Sequence, residues 1–462
     1  VTICLCLYSL FSFAQKQDYV WLSGYSSQLG YVPEMGFYLG ASVLDFNSSP
    51  VDVSYDSIAM NFDFTNASIC DGDGNLLFYT NGIYIANGQH EKMEGSDSLN
   101  YSYVLSHYYP TMQQYGYLWF QAALILPAYT PNEYYLLHSL FDTMPGGYPV
   151  NRRICYTLVD MSANNGRGKV LEKNIPIIED NLTCEIAATK HANGRDWWIP
   201  LKKLESDCYY RILLDSTEPH ALPDLDCVEN SPTYQELGSA CFSPDGSKYI
   251  HTSHATGVNI YDFDRCTGSL SNRVNIDTSR FLFAISTSVS PNSRFLYLTT
   301  KTVLYQIDMQ AGDVSASMDT IGVYDGHLAP YSTFIAHSQL APDGKIYISG
   351  GNSVVKYHVI NEPDMQGAAC NFIQHSFDIP STSFCVPNFP NYRLGALESV
   401  SCDTLTSIKN ITKKKNILRI FPNPANDVVT IDYGYIDWSK GETDMEIANS
   451  LGQVIHSQIL PM

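Results

Sequence analysis

The sequence is short of positive charge: 27 Lys and Arg stand against 47 Asp and Glu, a formal net charge of −20. Binding nucleic acid or an anionic bilayer needs a basic footprint that neutralises phosphate, and no basic stripe occurs outside Lys413–Lys415. Long apolar runs are also missing. The one near the N-terminus, ICLCLYSLFSF, is too short for a stable membrane span. No helical period is sustained, and 23 Pro and 30 Gly interrupt the chain throughout, which excludes a helical bundle. The cysteine spacings contain no CxxC, so structural zinc is not expected. A Gly-x-Ser-x-Gly elbow, an HExxH helix and a phosphate loop are likewise missing, so none of those chemistries has a local signature.

What is present is a repeated phrase. In Ser239–Gly268 an apolar run ends at a Ser-Pro-Asp-Gly turn, a second run leaves the turn, and a third ends in Asp. Equivalent turns stand at Asp71-Gly72-Asp73-Gly74-Asn75, Pro131-Asn132, Asn193-Gly194-Arg195, Pro291-Asn292-Ser293 and Pro342-Asp343-Gly344. Pro presets φ and Gly or Asn accepts a positive φ, so these are strand-turn-strand signals. The third runs end at Asp160, Asp215, Asp264 and Asp308, and at Asn87 and Asn361. A short acceptor there can close an Asx turn without implying a site. Four antiparallel strands repeating at about 40–60 residues make a propeller blade. The expectation is an all-β fold: a six- to seven-bladed β-propeller followed by a partial small β-sandwich. Phe37–Phe46 and Asn388–Leu394 would pair as the closing seventh blade.

The division expected is a partial signal peptide at 1–14, the propeller at 15–400, a polar linker at 401–416 and a distinct tail at 417–462. Residues 95–117 read as an insertion rich in Ser, Tyr and His. The N-terminal run ends in Ala14-Gln15-Lys16-Gln17, which resembles the apolar region and cleavage site of a secretory signal whose basic start is missing. Two of the twelve cysteines, Cys4 and Cys6, fall inside that run. The rest are even in number and permit disulfides in an exported chain, with Cys208–Cys227 and Cys370–Cys402 the pairs to test. Reduced, buried cysteines are the alternative.

The tail, ILRIFPNPANDVVTIDYGYIDWSKGETDMEIANSLGQVIHSQILPM, reads as four short strands with Pro-Asn-Pro and Gly turns. Phe421, Pro422, Asn423, Pro424 and Ala425, followed by Val428–Ile431 and then by Leu451, Gly452 and Gln453, closely resemble the C-terminal sorting domain of the type IX secretion system. The resemblance implies passage through the periplasm and across the outer membrane, the type IX machinery as a partner, and release or display at the cell surface. The family's last strands do not appear before Met462. With Val1 at the start, that suggests a chain truncated at both ends. The repeats resemble the WD40-like propellers often joined to such tails, through phrases such as LLFYTNG, FSPDGSKY, YDFDRCTG and APDGKIYI.

Two clusters could bear chemistry. Asp71, Asp73 and Asn75 have the D-x-D-x-N start of a calcium loop but lack its later Glu, and they occupy a hairpin-turn position. No cofactor is expected, calcium at this loop being the one alternative. His191, Arg195, Asp196, Trp197 and Trp198 bring together a base, charges and two indoles that could face a ligand, or could close a turn. His251 and His254 stand three apart on a strand, off a common face, and read as non-ligands. The expected function is an exported binding or interaction module for a glycan, peptide or protein. The alternative is a propeller hydrolase, lactonase or lyase using a central-channel site, with His191, Asp71, Asp73 and Asp245 as the groups to look for.

Overall fold

The computed structural model describes residues 15–34, 36–102, 104–107, 116–143, 149–228, 238–253, 257–276, 285–397 and 402, and strand residues 418–421, 430–433, 443–448 and 454–460. The signal-like run 1–14, His254, most of the linker and the motif residues Pro422, Asn423, Pro424, Leu451 and Gly452 lie outside the described residues. Two compact units divide between Val400 and Ser401.

The first unit is all-β and propeller-like. Each repeated phrase folds as a meander because its turn residues satisfy the chain locally. Gly246 takes φ +73°, and its N–H donates to the Ser243 carbonyl at 2.8 Å while Asp245 Oδ1 accepts from Ser247 N at 3.0 Å. The strand-end aspartates close Asx turns: Asp160, Asp264 and Asp308 accept the backbone N–H two residues on, at 2.8, 2.8 and 3.0 Å. The strands so joined form Gly238–Phe242, Lys248–Ser253, Gly257–Asp264 and Ser269–Ile276, paired in that order, and the other repeats follow the same plan.

The number of blades differs from the six or seven expected. Five separate sheets begin at Ala67–Cys70, Ala123–Pro127, Thr189–Lys190, Gly238–Phe242 and Ser286–Val289. The last repeat, Ser338–Leu340 through Phe372–Ser383, joins the N-terminal strands in one curled seven-stranded sheet. Phe37–Asp45 pairs along its length with Val20–Val32 and along half its other edge with Asp52–Asp56. Only the bridge from Tyr38 to Ser381 remains for the last repeat. Ser42 Oγ accepts from Ser381 N at 3.0 Å across that junction. Gly24 is needed beside it, since a Cβ there would lie 2.1 Å from the Gly40 carbonyl oxygen. No edge is left for a seventh blade, and Asn388–Leu394 is not a strand.

The 33 tyrosines have a packing role. The largest fully buried side chains are three Trp and nine Tyr, among them Trp21, Trp197, Tyr209, Tyr261 and Tyr392. An inter-blade gap is filled by a ring whose hydroxyl still finds a partner: Tyr209 donates to Tyr261 at 3.1 Å and Tyr297 to the Pro363 carbonyl at 2.8 Å.

Cys208 and Cys227 form a disulfide between facing strand positions. Cys266 and Cys402 each stand in a disulfide as well, whereas Cys370 is a free buried thiol. The expected Cys370–Cys402 bridge is therefore not formed. Cys370 ends a short 3-10 turn, Gly367–Cys370, and packs in an apolar cluster with Phe295, Tyr297 and Ile360.

In the second unit, Leu418–Phe421 pairs antiparallel with Thr430–Tyr433, and Thr443–Ala448 with Val454–Leu460.

Candidate functional site

Inner strands converge on the axis, so the side chains they turn inward must be small. Ser239, Thr287, Ser288 and Ser338 supply hydroxyls there, with Thr252 and Thr287 3.3 Å apart and Ser286 and Ser338 also 3.3 Å apart. Small neutral polar groups can share hydrogen bonds across blades without desolvating a charge.

The segment 385–397 crosses this axis and divides it. Asn388 Nδ2 donates to the carbonyls of Ala123 and Ile186 at 3.1 and 3.0 Å. Gln121 Nε2 donates to Asn388 Oδ1 at 3.2 Å and to the Ala240 carbonyl at 2.9 Å, while Gln121 Oε1 accepts from Ala240 N at 2.8 Å. Tyr392 donates to the Ile125 carbonyl at 2.7 Å, and Asn391 to that of Pro244 at 2.8 Å. Gly194 lets the segment pass, because a Cβ at that φ of +72° would strike the Ala396 nitrogen at 2.5 Å. Besides the sheet that the first and last strands share, an ion pair ties the segment to the N-terminal strands. Arg393 donates through both Nη atoms to the buried Asp18 carboxylate, at 2.5 and 2.8 Å, and Trp21 Nε1 donates to the Asp18 carbonyl.

Two cavities result. A basin of about 260 Å³ lies where the turn residues Pro244, Pro291 and Pro342 gather, and Thr189, Thr287, Ser338, Gln339, Asn391 and Arg393 contribute to its wall. A vestibule of about 250 Å³ occupies the other mouth, among Phe64, Phe120, Phe334, His337, Phe384 and Lys301. Between them, beside Gln121 and Asn388, only about 30 Å³ is open.

The residues singled out from the sequence lie elsewhere. Asp71 Oδ1 accepts from the backbone of Asp73 and Asn75, both at 2.9 Å, and its Oδ2 accepts from the Asn75 amide. His191 is buried, accepts from Asn193 N through Nδ1 at 3.0 Å and donates from Nε2 to the Cys266 carbonyl at 3.1 Å, which defines its neutral tautomer. Arg195 pairs with Asp196, which also accepts from Asn193. Trp197 is buried under Lys190, whose Nζ lies 4.7 Å from the ring, and Trp198 Nε1 donates to the Arg265 carbonyl. Asp245 closes its turn on Ser243 and Ser247. None of these side chains lines the basin or the vestibule. Among the described residues, no group of three His, Cys, Asp or Glu side chains is placed to hold a metal ion.

Two buried carboxyls have no signal in the sequence. Glu185 and His251 face each other at 3.8 Å in the wall between two blades, a coulombic pair rather than a hydrogen bond. Burial alone would raise the Glu185 carboxyl, but the imidazole holds it below its ordinary range, with Gly238 N donating to Oε1 at 3.0 Å. Asp63, beside the vestibule's Phe64, has a buried Oδ1 without a hydrogen-bond partner among the described residues. Burial pushes its carboxyl up to about 7. Nothing in the repeat phrase marks either residue, because both precede the strands that carry it.

Residues 419–461 match the secretion system C-terminal sorting domain. The chain carries an export tail. Its location is therefore the cell surface or the extracellular space, reached through the type IX machinery. Among the described residues no helix is long and apolar enough to cross a membrane. No curated protein sequence matches the chain. Among solved structures, a Bacteroides uniformis protein provisionally named a 6-phosphogluconolactonase is 12% identical with a TM-score of 0.48, over 80% of this chain and 99% of that one. The periplasmic gluconolactonase of Pseudomonas aeruginosa is 11% identical with a TM-score of 0.42, over 79% and 97%. AztD from Citrobacter koseri is 14% identical with a TM-score of 0.38, over 79% and 88%. No part of the function follows from likenesses this distant.

Proposed function

We propose that this exported propeller-like protein is a binding module whose axial basin holds one sugar-sized, polyhydroxylated group, the end of an extracellular glycan. The observation that carries the reading is the wall of the basin: hydroxyls and amides from Thr189, Thr287, Ser338, Gln339 and Asn391, with the apolar faces of Phe242 and Phe389 among them. A sugar ring offers hydroxyls at its edge and C–H groups on its faces, and a site for one combines neutral hydrogen-bonding groups with aromatic surface. The basin is blocked at its inner end by Gln121 and Asn388, which suits capture rather than passage.

Its ionisable groups also suit binding better than the hydrolase, lactonase or lyase alternative. Among the described residues they are Asp18, Arg393 and the Cys241 thiol. Asp18 and Arg393 are committed to each other, and burial pushes Cys241 up to about 12, away from a nucleophilic thiolate. Gln339 is the residue to change, because among the described residues its amide bonds only to the neighbouring Leu340 carbonyl, at 3.2 Å. A glycan array followed by calorimetry on the full chain should find a ligand whose affinity falls about tenfold or more in Gln339→Ala with the melting temperature unchanged. Equal binding by wild type and Gln339→Ala, or turnover of the ligand, would overturn the reading.

A further inference from the structure

The vestibule at the opposite mouth is built differently. Phe64 lies 5.1 Å, centroid to centroid, from both Phe120 and Phe384, and the latter two are nearly parallel at 17°. His337 packs on Phe120 at 3.7 Å. These four rings are only partly buried. The cluster thus leaves apolar surface in a concave space of about 250 Å³ that the neck at Asn388 closes from behind.

Lys301 stands at the rim in an unusual state. Its φ is +71°, the left-handed region that Gly or Asn ordinarily occupies. Two backbone hydrogen bonds with Ile335, at 2.8 and 3.0 Å, hold it there. Its side chain reaches over the Phe334 ring, with Nζ 4.5 Å from the centroid. Among the described residues no carboxylate lies within ion-pair distance of this exposed ammonium. A strained backbone thus holds a lysine at the rim of a mostly aromatic pocket, whose wall also carries the His337 imidazole, in a chain with a net charge of −20.

We infer that the vestibule is a second binding site, separate from the basin, for an apolar ring bearing a carboxylate. The ring fills the space among Phe64, Phe120 and Phe384, and the carboxylate meets Lys301. The position of the charge at the rim makes the carboxylate enter last and remain partly hydrated, so the aromatic contacts supply most of the affinity and Lys301 the selectivity.

The same chemistry comes from a free aromatic acid or from a peptide ending in Phe, and the probes separate them. Binding to the full chain would be followed by saturation-transfer NMR and calorimetry with 3-phenylpropionate, 3-phenylpropan-1-ol, and a tetrapeptide ending in Phe as the free acid or the amide. One or both carboxylates should bind, and each about tenfold or more tighter than its neutral counterpart. Lys301→Gly, which suits the left-handed backbone and so folds, should abolish that preference. Phe120→Ala should weaken acid and alcohol together. Binding by free acid alone would assign the site to small molecules, and binding by peptide acid alone to chain ends. No binding by either carboxylate, or an acid preference that survives Lys301→Gly, would overturn the inference. Because Gln339 and Lys301 stand at opposite ends of the neck, failure of the glycan reading would leave this test intact.

Discussion

Replacing Asp63 by Asn should remove a pH dependence that the wild-type fold carries. The Asp63 carboxyl is buried beside Phe64 with Oδ1 unpartnered, and burial raises it from 3.8 to about 7. Tyr25 and Cys385 are the titratable neighbours that sense its charge; both are raised by burial first and by Asp63 in addition, so neither ionises below pH 8. Below about pH 4 the carboxyl is protonated in both folded and unfolded chains and contributes nothing to the pH slope. Between about 4 and 7 the unfolded chain gives up the proton while the folded chain keeps it. Unfolding then releases a proton, and stability falls as pH rises, by about 1.4 kcal/mol per unit. Above about 7 both states are ionised and the loss levels off. A shift of about three units corresponds to about 4 kcal/mol at most. Urea denaturation of wild type and Asp63→Asn at pH 4, 5.5, 7 and 8 reads the difference directly, since all other titrations are common to both. The variant should gain on the wild type by several kcal/mol between pH 4 and 8. A difference constant to within about 1 kcal/mol across that range would refute the reasoning.

The ring closure can be tested in the same assay. Arg393→Ala leaves the buried Asp18 carboxylate without its bidentate partner; because the Arg393 side chain is 40% exposed and water can partly replace it, the expected loss is about 2 kcal/mol, less than for a fully buried pair. A loss below about 0.5 kcal/mol would mean that Asn388, Asn391 and Tyr392 hold the segment without the ion pair. Removing the disulfide with Cys208→Ser should lower stability by about 3 kcal/mol, from the 19-residue separation it closes, and a reductant should lower the wild type by at least as much, because it also opens the bonding at Cys266 and Cys402.

Turn positions, strand runs and the export tail were legible in the sequence because each depends on neighbours a few residues apart. Pro244-Asp245-Gly246 closes on Ser243 and Ser247, and Asp264 on Cys266, so local chemistry was enough. The same local chemistry picked out the candidate residues. His191, Asp71 and Asp245 are conspicuous in the sequence because turns need polar side chains, and those side chains are occupied by the turns they close. Cys208–Cys227 could be anticipated, whereas the Cys370 thiol lies inside a cluster with Phe295 and Ile360 that spacing does not indicate.

By itself, then, the sequence determined an exported, all-β chain with an acidic composition and the positions of its hairpin turns. Tertiary structure alone decided the blade count, the ring closure and the cavities. Five blades and a curled sheet arise because Phe37–Asp45 spends its edges on Val20–Val32 and Asp52–Asp56. Asn388 reaches Gln121 across 267 positions and Arg393 reaches Asp18 across 375, and such pairings follow from how the ring closes, not from any local pattern. The aromatic vestibule depends on the same closure, since Phe64, Phe120 and Phe384 meet only once the two ends of the chain have been brought to one axis.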